Sequence, residues 1–169
     1  FLHRWSQTPG KWWTRLYTAA RDGSDIYLLA DDDMTSHFDW RDPQHVLAWA
    51  KQFGIGCFYF LFRDRTREKE VVGRGVLDCD GHCSYSPDRR WILTDTYPVN
   101  NRRTLILYEP STDRRIDIGH FYSDPAITGP IRCDLHPRWS RDGRQVCIDS
   151  IHEGPRQMYL LDVSAITSA

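Results

Sequence analysis

Short apolar runs separated by turn residues dominate the chain and predict strands rather than helices. In residues 132–150, a predicted strand ends at Trp139-Ser140, Asp142-Gly143 forms a turn, and a second strand passes through Val146 and Ile148. An Asp-Gly turn between two such runs is typical of a β-hairpin, because Gly adopts a positive φ without steric cost. Almost no segment shows helical periodicity, so the pattern indicates an all-β protein.

This hairpin belongs to the last of three copies of a repeat. In each copy a histidine (His37, His82 or His136) is followed three residues later by Trp or Tyr, then by a turn that contains Asp. The second histidine lies 45 residues after the first, and the third lies 54 residues after the second. These spacings are close to the blade length of roughly 40–50 residues in β-propellers. The predicted second strands are 46–50, 91–95 and 146–150, the third strands 57–62, 103–108 and 157–162, and the fourth strands 70–72 and 115–118.

The repeat predicts a β-propeller of four-stranded antiparallel blades, of which about three and a half are present in this chain. The N-terminal segment fits this scheme as a second, third and fourth strand. Phe1 lies inside a predicted strand, so we expect the chain to need missing N-terminal blades to close the propeller. The predicted divisions of this partial, single propeller domain are a partial blade over 1–35, with strands at 1–5, 14–20 and 25–30, and blades over 36–77, 78–124 and 125–169.

Composition and charge are those of an ordinary globular protein. The 22 Lys and Arg residues nearly balance the 23 Asp and Glu residues, which argues against nucleic acid or a membrane surface as the partner. No apolar run is long enough to span a membrane. The five cysteines are an odd number without a CxxC pair, so we expect buried reduced thiols rather than a disulfide framework.

The repeated histidines are the main candidates for chemistry. Propeller geometry predicts that His37, His82 and His136 converge at one end of the central channel. Asp134 lies two residues before His136, and alternation along a strand would point both side chains to one face. Neutral imidazoles beside a carboxylate suit a divalent metal ion, so His82, His136 and Asp134 are candidate ligands. Two other interpretations stay open: the imidazoles can bond the backbone of neighbouring blades, and Arg132 can pair with Asp134 and leave no metal site.

The residues of the last copy also carry a family resemblance. The signature Trp139-Ser140-Arg141-Asp142-Gly143, followed by Tyr159-Leu160-Leu161-Asp162, resembles the repeat of TolB-type propellers. The wider set, from about Thr14 to Val163, resembles the C-terminal half of the oligogalacturonate lyases, a polysaccharide lyase family with a seven-bladed propeller. The resemblance implies β-elimination on an acidic oligosaccharide, a short pectic oligouronide, with a divalent ion such as manganese held by histidines. A non-catalytic TolB-like propeller that binds a protein or another ligand is the alternative.

The resemblance also implies roles for particular residues. By repeat position, His82 and His136 match metal-binding histidines of the family, and His37 matches its general base. Arg15, on the strand before His37, is the candidate for the substrate-binding arginine, with Arg4 and Arg132 as alternatives.

One departure from the family concerns the metal site directly. The last blade of the family carries a further histidine two residues before its terminal one, and a glutamine just upstream. This chain has Asp134 at the first place and no matching glutamine. Because Asp can ligate a divalent ion, we expect a site with altered charge and metal preference. No signal peptide is recognisable, and the localisation stays open between the cytoplasm and the periplasm of a bacterium.

Overall fold

Antiparallel strands in four sheets make up most of the computed structural model, which describes residues 1–168. The chain divides into a first unit, residues 1–78, and a second unit from Cys79 onward. The prediction of an all-β chain is therefore confirmed. Among residues 1–168, none of the helices has the length and apolar character of a membrane span.

The first unit consists of two sheets that enclose an apolar core. Its first sheet has the order β1-β2-β3 and its second sheet the order β4-β5-β6-β7. Leu16 and Ala30 of the first sheet are buried together with Val46, Ala48 and Phe60 of the second sheet. The strands are β1 (Leu2–Thr8), β2 (Lys11–Thr18), β3 (Tyr27–Ala30), β4 (Thr35–Asp42), β5 (His45–Gln52), β6 (Gly56–Arg63) and β7 (Lys69–Val72).

The second unit repeats this arrangement with sheets of order β11-β10-β9-β8 and β12-β13-β14. Its core is built from buried residues of both sheets, among them Leu93, Leu105, Val146 and Ile148, together with Leu135 from the segment before β12. The strands are β8 (Ser84–Tyr85), β9 (Ile92–Asp95), β10 (Arg102–Glu109), β11 (Arg114–Tyr122), β12 (Arg138–Trp139), β13 (Gln145–Ser150) and β14 (Gln157–Asp162). A 3₁₀ helix covers Gly129–Ile131, and a short helix α1 covers Ser164–Thr167.

Local turn chemistry explains the hairpin from β12 to β13. The Ser140 hydroxyl donates to the Asp142 carboxylate at 2.6 Å and accepts the Gln145 backbone N–H at 3.0 Å. Gly143 has a φ of +70°, the left-handed conformation that glycine adopts without strain. These side-chain bonds satisfy backbone donors that the turn leaves without a strand partner. The predicted Asp-Gly hairpin is therefore confirmed.

Several details differ from the sequence-based expectations. The structure places Asp134, His136 and His82 in irregular segments that precede β12 and β8, not in strands. Cys57 and Cys79 are exposed, so the expected burial of the cysteines is wrong for these two, although all five are free thiols. The division into blades of one propeller domain stays a prediction.

Candidate metal centre

Three side chains of the second unit form a group that can hold a metal ion. His82, Asp134 and His136 each offer one ligand atom, and these atoms lie within 4.8 Å of one another. The imidazole rings of His82 and His136 have their centroids 4.0 Å apart. Nitrogen and oxygen ligands lie about 2.0–2.2 Å from an ion such as zinc, so ligand atoms at this separation can share one ion.

Asp95 fixes the position and the tautomer of the His82 imidazole. Its carboxylate accepts the His82 backbone N–H at 2.7 Å and lies 3.0 Å from His82 Nδ1. Because a carboxylate accepts this contact, Nδ1 carries the proton, and Nε2 is the ring nitrogen that can act as a metal ligand. Asp95 ends β9 and is 1% exposed, so this bond orients the imidazole inside the protein.

A glycine allows this close approach. A Cβ atom on Gly81 would lie 1.8 Å from the carbonyl oxygen of Asp95. Side chains do not tolerate such a distance to backbone, so only glycine lets the chain before His82 pass so near to β9. The bond between His82 and Asp95 therefore depends on residue 81.

His136 is held in a similar way by its own segment. Its Nδ1 lies 3.3 Å from the backbone carbonyl oxygen of Asp134, which again leaves Nε2 available. Leu135, between the two residues, is 1% exposed in the core, and its carbonyl accepts the Asp149 N–H at 2.8 Å. Burial of Leu135 in the core anchors the segment, and Asp134 and His136 on either side of it lie at the candidate site.

Backbone strain and electrostatics single out His136. Its φ is +41°, a conformation that few residues other than glycine adopt and that is concentrated at functional sites. Burial lowers the pKa of the His136 imidazole, and the charge of His82 lowers it further. His136 is therefore neutral near pH 7, which is the form that binds a metal.

Asp134 is engaged by two arginines. Arg132 Nε donates to Oδ1 at 2.7 Å and Arg132 Nη2 to Oδ2 at 2.6 Å. Arg103 Nη2 lies 2.6 Å from Oδ1 as an ion pair, although its orientation is not that of an aligned hydrogen bond. Burial would raise the pKa of Asp134, but the hydrogen bond from Arg132 and the charges of both arginines hold it below the usual value. The carboxylate is therefore ionised and already neutralised by cations.

The donor set fits a divalent ion only in part. The two imidazoles each offer a ring nitrogen, and Asp95 supplies the outer carboxylate that metal-bound histidines usually have. The Asp134 carboxylate lies at the right place, but both of its oxygens face guanidinium groups. The pairing of Arg132 with Asp134, one of the alternatives from the sequence, is therefore present in the structure.

The other predicted residues, His37 and Arg15, lie in the first unit. His37 lies in a bulge of β4, because Thr35 pairs with Ala50 and Phe38 with Ala48, and bulges re-aim side chains beside functional sites. Ser36 Oγ lies 3.1 Å from His37 Nδ1. The Arg15 guanidinium stacks over the Trp5 ring at 4.4 Å. The convergence of His37 on His82 and His136 stays a prediction.

A hydrogen bond links the strands that carry these two residues. The Thr14 hydroxyl, next to Arg15 on β2, donates to the carbonyl of Thr35 on β4 at 2.6 Å. The backbone positions of Arg15 and His37 therefore belong to the same region of the first unit. The alternative arginine Arg4 lies on β1 and covers the Trp12 ring at 4.3 Å.

Sequence reasoning missed Asp95 and Arg103. Both are charged residues in apolar strands, and Arg103 is 2% exposed. The repeat contains a signal for Asp95, because the pairs Tyr85–Ile92 and Trp139–Val146 align Asp95 with Asp149. A carboxylate near the end of the second strand in two copies indicates a buried role at that position.

Comparisons with known proteins define the class of fold. No protein-family model matches the chain, and no curated protein matches it significantly in sequence. Solved structures match it as part of a β-propeller, and the predicted fold class is confirmed.

The similar structures are a TolB and two oligogalacturonate lyases. TolB from Acinetobacter baumannii has a TM-score of 0.68 and 20% identity, covering 89% of this chain and 35% of that chain. An oligogalacturonate lyase in complex with manganese has a TM-score of 0.66 and 14% identity, and the match covers 92% of this chain and 42% of that chain. An oligogalacturonate lyase from Vibrio parahaemolyticus has a TM-score of 0.66 and 16% identity, and the match covers 87% of this chain and 41% of that chain. The chain thus spans about two fifths of the length of these propellers, and at these identities the likeness is one of fold.

Proposed function

We propose that this chain is the part of a metal-dependent lyase that cleaves oligogalacturonides by β-elimination. The observation that carries the proposal is the grouping of His82 and His136, whose ring centroids lie 4.0 Å apart and whose ligand atoms lie together with that of Asp134. Asp134 is the proposed third ligand, within 4.8 Å of both. Manganese is the proposed ion, because imidazole and oxygen ligands suit it and one lyase of similar fold is in complex with manganese.

The difficult step of this reaction is removal of a proton from the carbon next to a uronate carboxylate. The negative carboxylate opposes the build-up of further negative charge on that carbon, and a bound divalent ion neutralises it. The electron pair of the broken C–H bond forms a C=C bond, and the glycosidic oxygen on the adjacent carbon leaves with its bonding pair. The proton needs a base that is neutral near pH 7.

The residues of the chain divide these tasks in the proposal. His82 and His136 hold the ion, and Asp95 keeps the His82 imidazole in the required orientation. His37 takes the proton as the general base, and its Nδ1 contacts the Ser36 hydroxyl. Arg15 binds one of the carboxylates of the oligogalacturonide through its guanidinium group.

Metal binding and product formation test the proposal together. The full-length protein is freed of metal with a chelator, titrated with Mn²⁺ by calorimetry, and assayed with oligogalacturonides for the absorbance of the unsaturated product. We expect binding near one ion per chain, and activity that the chelator removes and Mn²⁺ restores. Asp95→Asn is expected to weaken Mn²⁺ binding about 10–100-fold, as outer-shell substitutions do.

A matched substitution distinguishes a specific loss of Mn²⁺ binding from a general loss of stability. Asp117→Asn removes a carboxylate on the exposed part of β11, 36% exposed and paired with Arg115, and is expected to leave Mn²⁺ binding unchanged. A full-length protein that binds no divalent ion and forms no unsaturated product would contradict the proposal.

A second candidate function is a non-catalytic propeller that binds a protein or another ligand. The pairing of Asp134 with Arg103 and Arg132 favours it, because a carboxylate held by two cations is a structural element without any metal. The likeness to TolB is consistent with it. His82→Ala that lowers stability and leaves partner binding unchanged, in a protein without lyase activity, is the result that this candidate predicts.

A further inference from the structure

We propose that Arg132 determines substrate specificity by exchange: it releases the Asp134 carboxylate to bind the carboxylate of an acidic sugar, and Asp134 then becomes a ligand of the metal ion. This inference deepens the proposed function and rests on it. It follows from the different burial of the two arginines that contact Asp134: Arg103 is buried and Arg132 is partly exposed.

Arg103 is a fixed partner of Asp134. Its side chain is 2% exposed, and its other donors reach the Thr96 carbonyl and the Ser123 hydroxyl, each at 3.3 Å. Movement of this guanidinium would leave buried donors and a buried charge without partners. Arg103 therefore keeps its bond to Oδ1 in any state of the site.

Arg132 is a mobile partner by the same criteria. Its side chain is 41% exposed, and besides Asp134 it covers the ring of Tyr97 at 5.4 Å. Water can solvate the Arg132 guanidinium when it leaves the carboxylate, so its rotation costs less than that of the buried Arg103. Tyr97 is itself 41% exposed and offers an aromatic face for a sugar ring beside the released guanidinium.

The bond between Arg132 and Asp134 occupies the atoms that a metal ion needs. Arg132 covers Oδ1 and Oδ2 together, and its positive charge repels a divalent cation beside His82 and His136. When Arg132 departs, Arg103 still contacts Oδ1, and Oδ2 becomes free for the ion. The carboxylate then completes the ligand group with the two imidazoles.

An incoming carboxylate is the ligand that matches this exchange. A guanidinium group binds a carboxylate through two parallel N–H donors, the same geometry that it has with Asp134. In the exchange, Arg132 has a carboxylate partner both before and after the sugar binds, and Arg103 remains beside Asp134. A neutral sugar offers no equivalent and leaves Arg132 on Asp134. Binding of the ion and binding of the acidic sugar are therefore coupled, each tightening the other by the same factor.

Calorimetric titration of the full-length protein with Mn²⁺ tests this exchange. The probe is D-galacturonate, which carries the carboxylate but has no glycosidic bond to cleave, and D-galactose is its neutral match. We expect galacturonate to tighten Mn²⁺ binding by about tenfold or more, within the usual range of coupling between sites, and galactose to have no effect. Arg132→Gln is expected to bind Mn²⁺ about tenfold more tightly than wild type without any sugar, and to gain less from galacturonate.

Substitution of Asp134 separates the exchange from simple charge repulsion. In an Asp134→Asn background, Arg132→Gln is expected to change Mn²⁺ affinity less than about threefold, because the carboxylate that it would release is absent. Equal tightening in both backgrounds would overturn the exchange, since it would show that Arg132 only repels the ion. Arg141→Gln, at an exposed turn, is the control for net charge and is expected to behave as wild type.

The outcomes also distinguish this inference from the proposed function. If no variant and no wild-type protein binds Mn²⁺, the metal site itself is wrong. If Mn²⁺ binds but galacturonate and Arg132→Gln leave its affinity unchanged, only the exchange is wrong. If Asp134→Asn unfolds, the comparison of galacturonate with galactose on wild type and Arg132→Gln still decides the question.

Discussion

Removal of the Asp134 carboxylate tests the strongest electrostatic feature of the second unit. Asp134→Ala leaves the Arg103 guanidinium, 2% exposed, with only two neutral acceptors, Thr96 and Ser123. Asp134 is the only acidic partner of Arg103 among residues 1–168. The substitution therefore creates a buried positive charge without a counterion.

The expected loss follows from this burial. Breaking a buried ion pair by removing one partner costs about 3–5 kcal/mol of unfolding free energy. Arg132 adds about 0–1 kcal/mol at most, because its exposed guanidinium is solvated in the variant. Asp134→Asn keeps an oxygen acceptor for Arg103 and is expected to lose less, on the order of 1–3 kcal/mol.

Urea unfolding of the full-length protein at pH 7 measures these differences. Asp117→Asn, which breaks an exposed pair with Arg115 on β11, is the matched control and is expected to lose under about 1 kcal/mol. The double variant Arg103→Met/Asp134→Leu removes both charges and is expected to recover most of the loss. A loss below about 1 kcal/mol for Asp134→Ala, or a double variant as unstable as the single one, would refute the reasoning.

Two further predictions concern acid and backbone fit. Because the folded state holds the pKa of Asp134 below its usual value, its contribution to stability is complete above about pH 5 and is lost as the pH falls from about 3.9 through the folded pKa. The difference in unfolding free energy between wild type and Asp134→Asn, measured by urea titrations in acid, should therefore narrow below about pH 3.9. A constant difference down to about pH 2.5 would contradict this prediction. Gly81→Ala is expected to cost about 1–3 kcal/mol and to weaken Mn²⁺ binding, because its Cβ would meet the Asp95 carbonyl at 1.8 Å. Gly119→Ala, which meets only the Phe121 ring at 3.2 Å, is the control, and equal effects of the two would contradict the argument.

The strands and their order were predictable because their signals are local. The predicted third strand 157–162 is β14 as observed, and the predicted strands 103–108 and 57–62 lie within β10 and β6. Apolar runs and turn residues act over a few positions, so the sequence displays them directly. The predicted turn at Asp142-Gly143 follows the same logic.

The grouping of the candidate site was predicted through an incorrect local structure. Asp134 and His136 were expected on one face of a strand, but their segment is irregular and has a positive φ at His136. They share the site because Leu135 between them is buried in the core. Asp134 and His136 flank this core residue, and their ligand atoms lie in one group with that of His82 although the segment is not a strand.

The sequence by itself determined an all-β chain with a repeated hairpin and three histidines at equivalent repeat positions, since periodicity and turn chemistry are properties of neighbouring residues. Only the tertiary structure decided which partners those residues have. Asp95 contacts His82 across 13 residues of sequence. Arg103 on β10 contacts Asp134, which lies in the irregular segment before β12. Burial and contacts between distant segments set the orientation of an imidazole and the charge around a carboxylate, and no local pattern contains them.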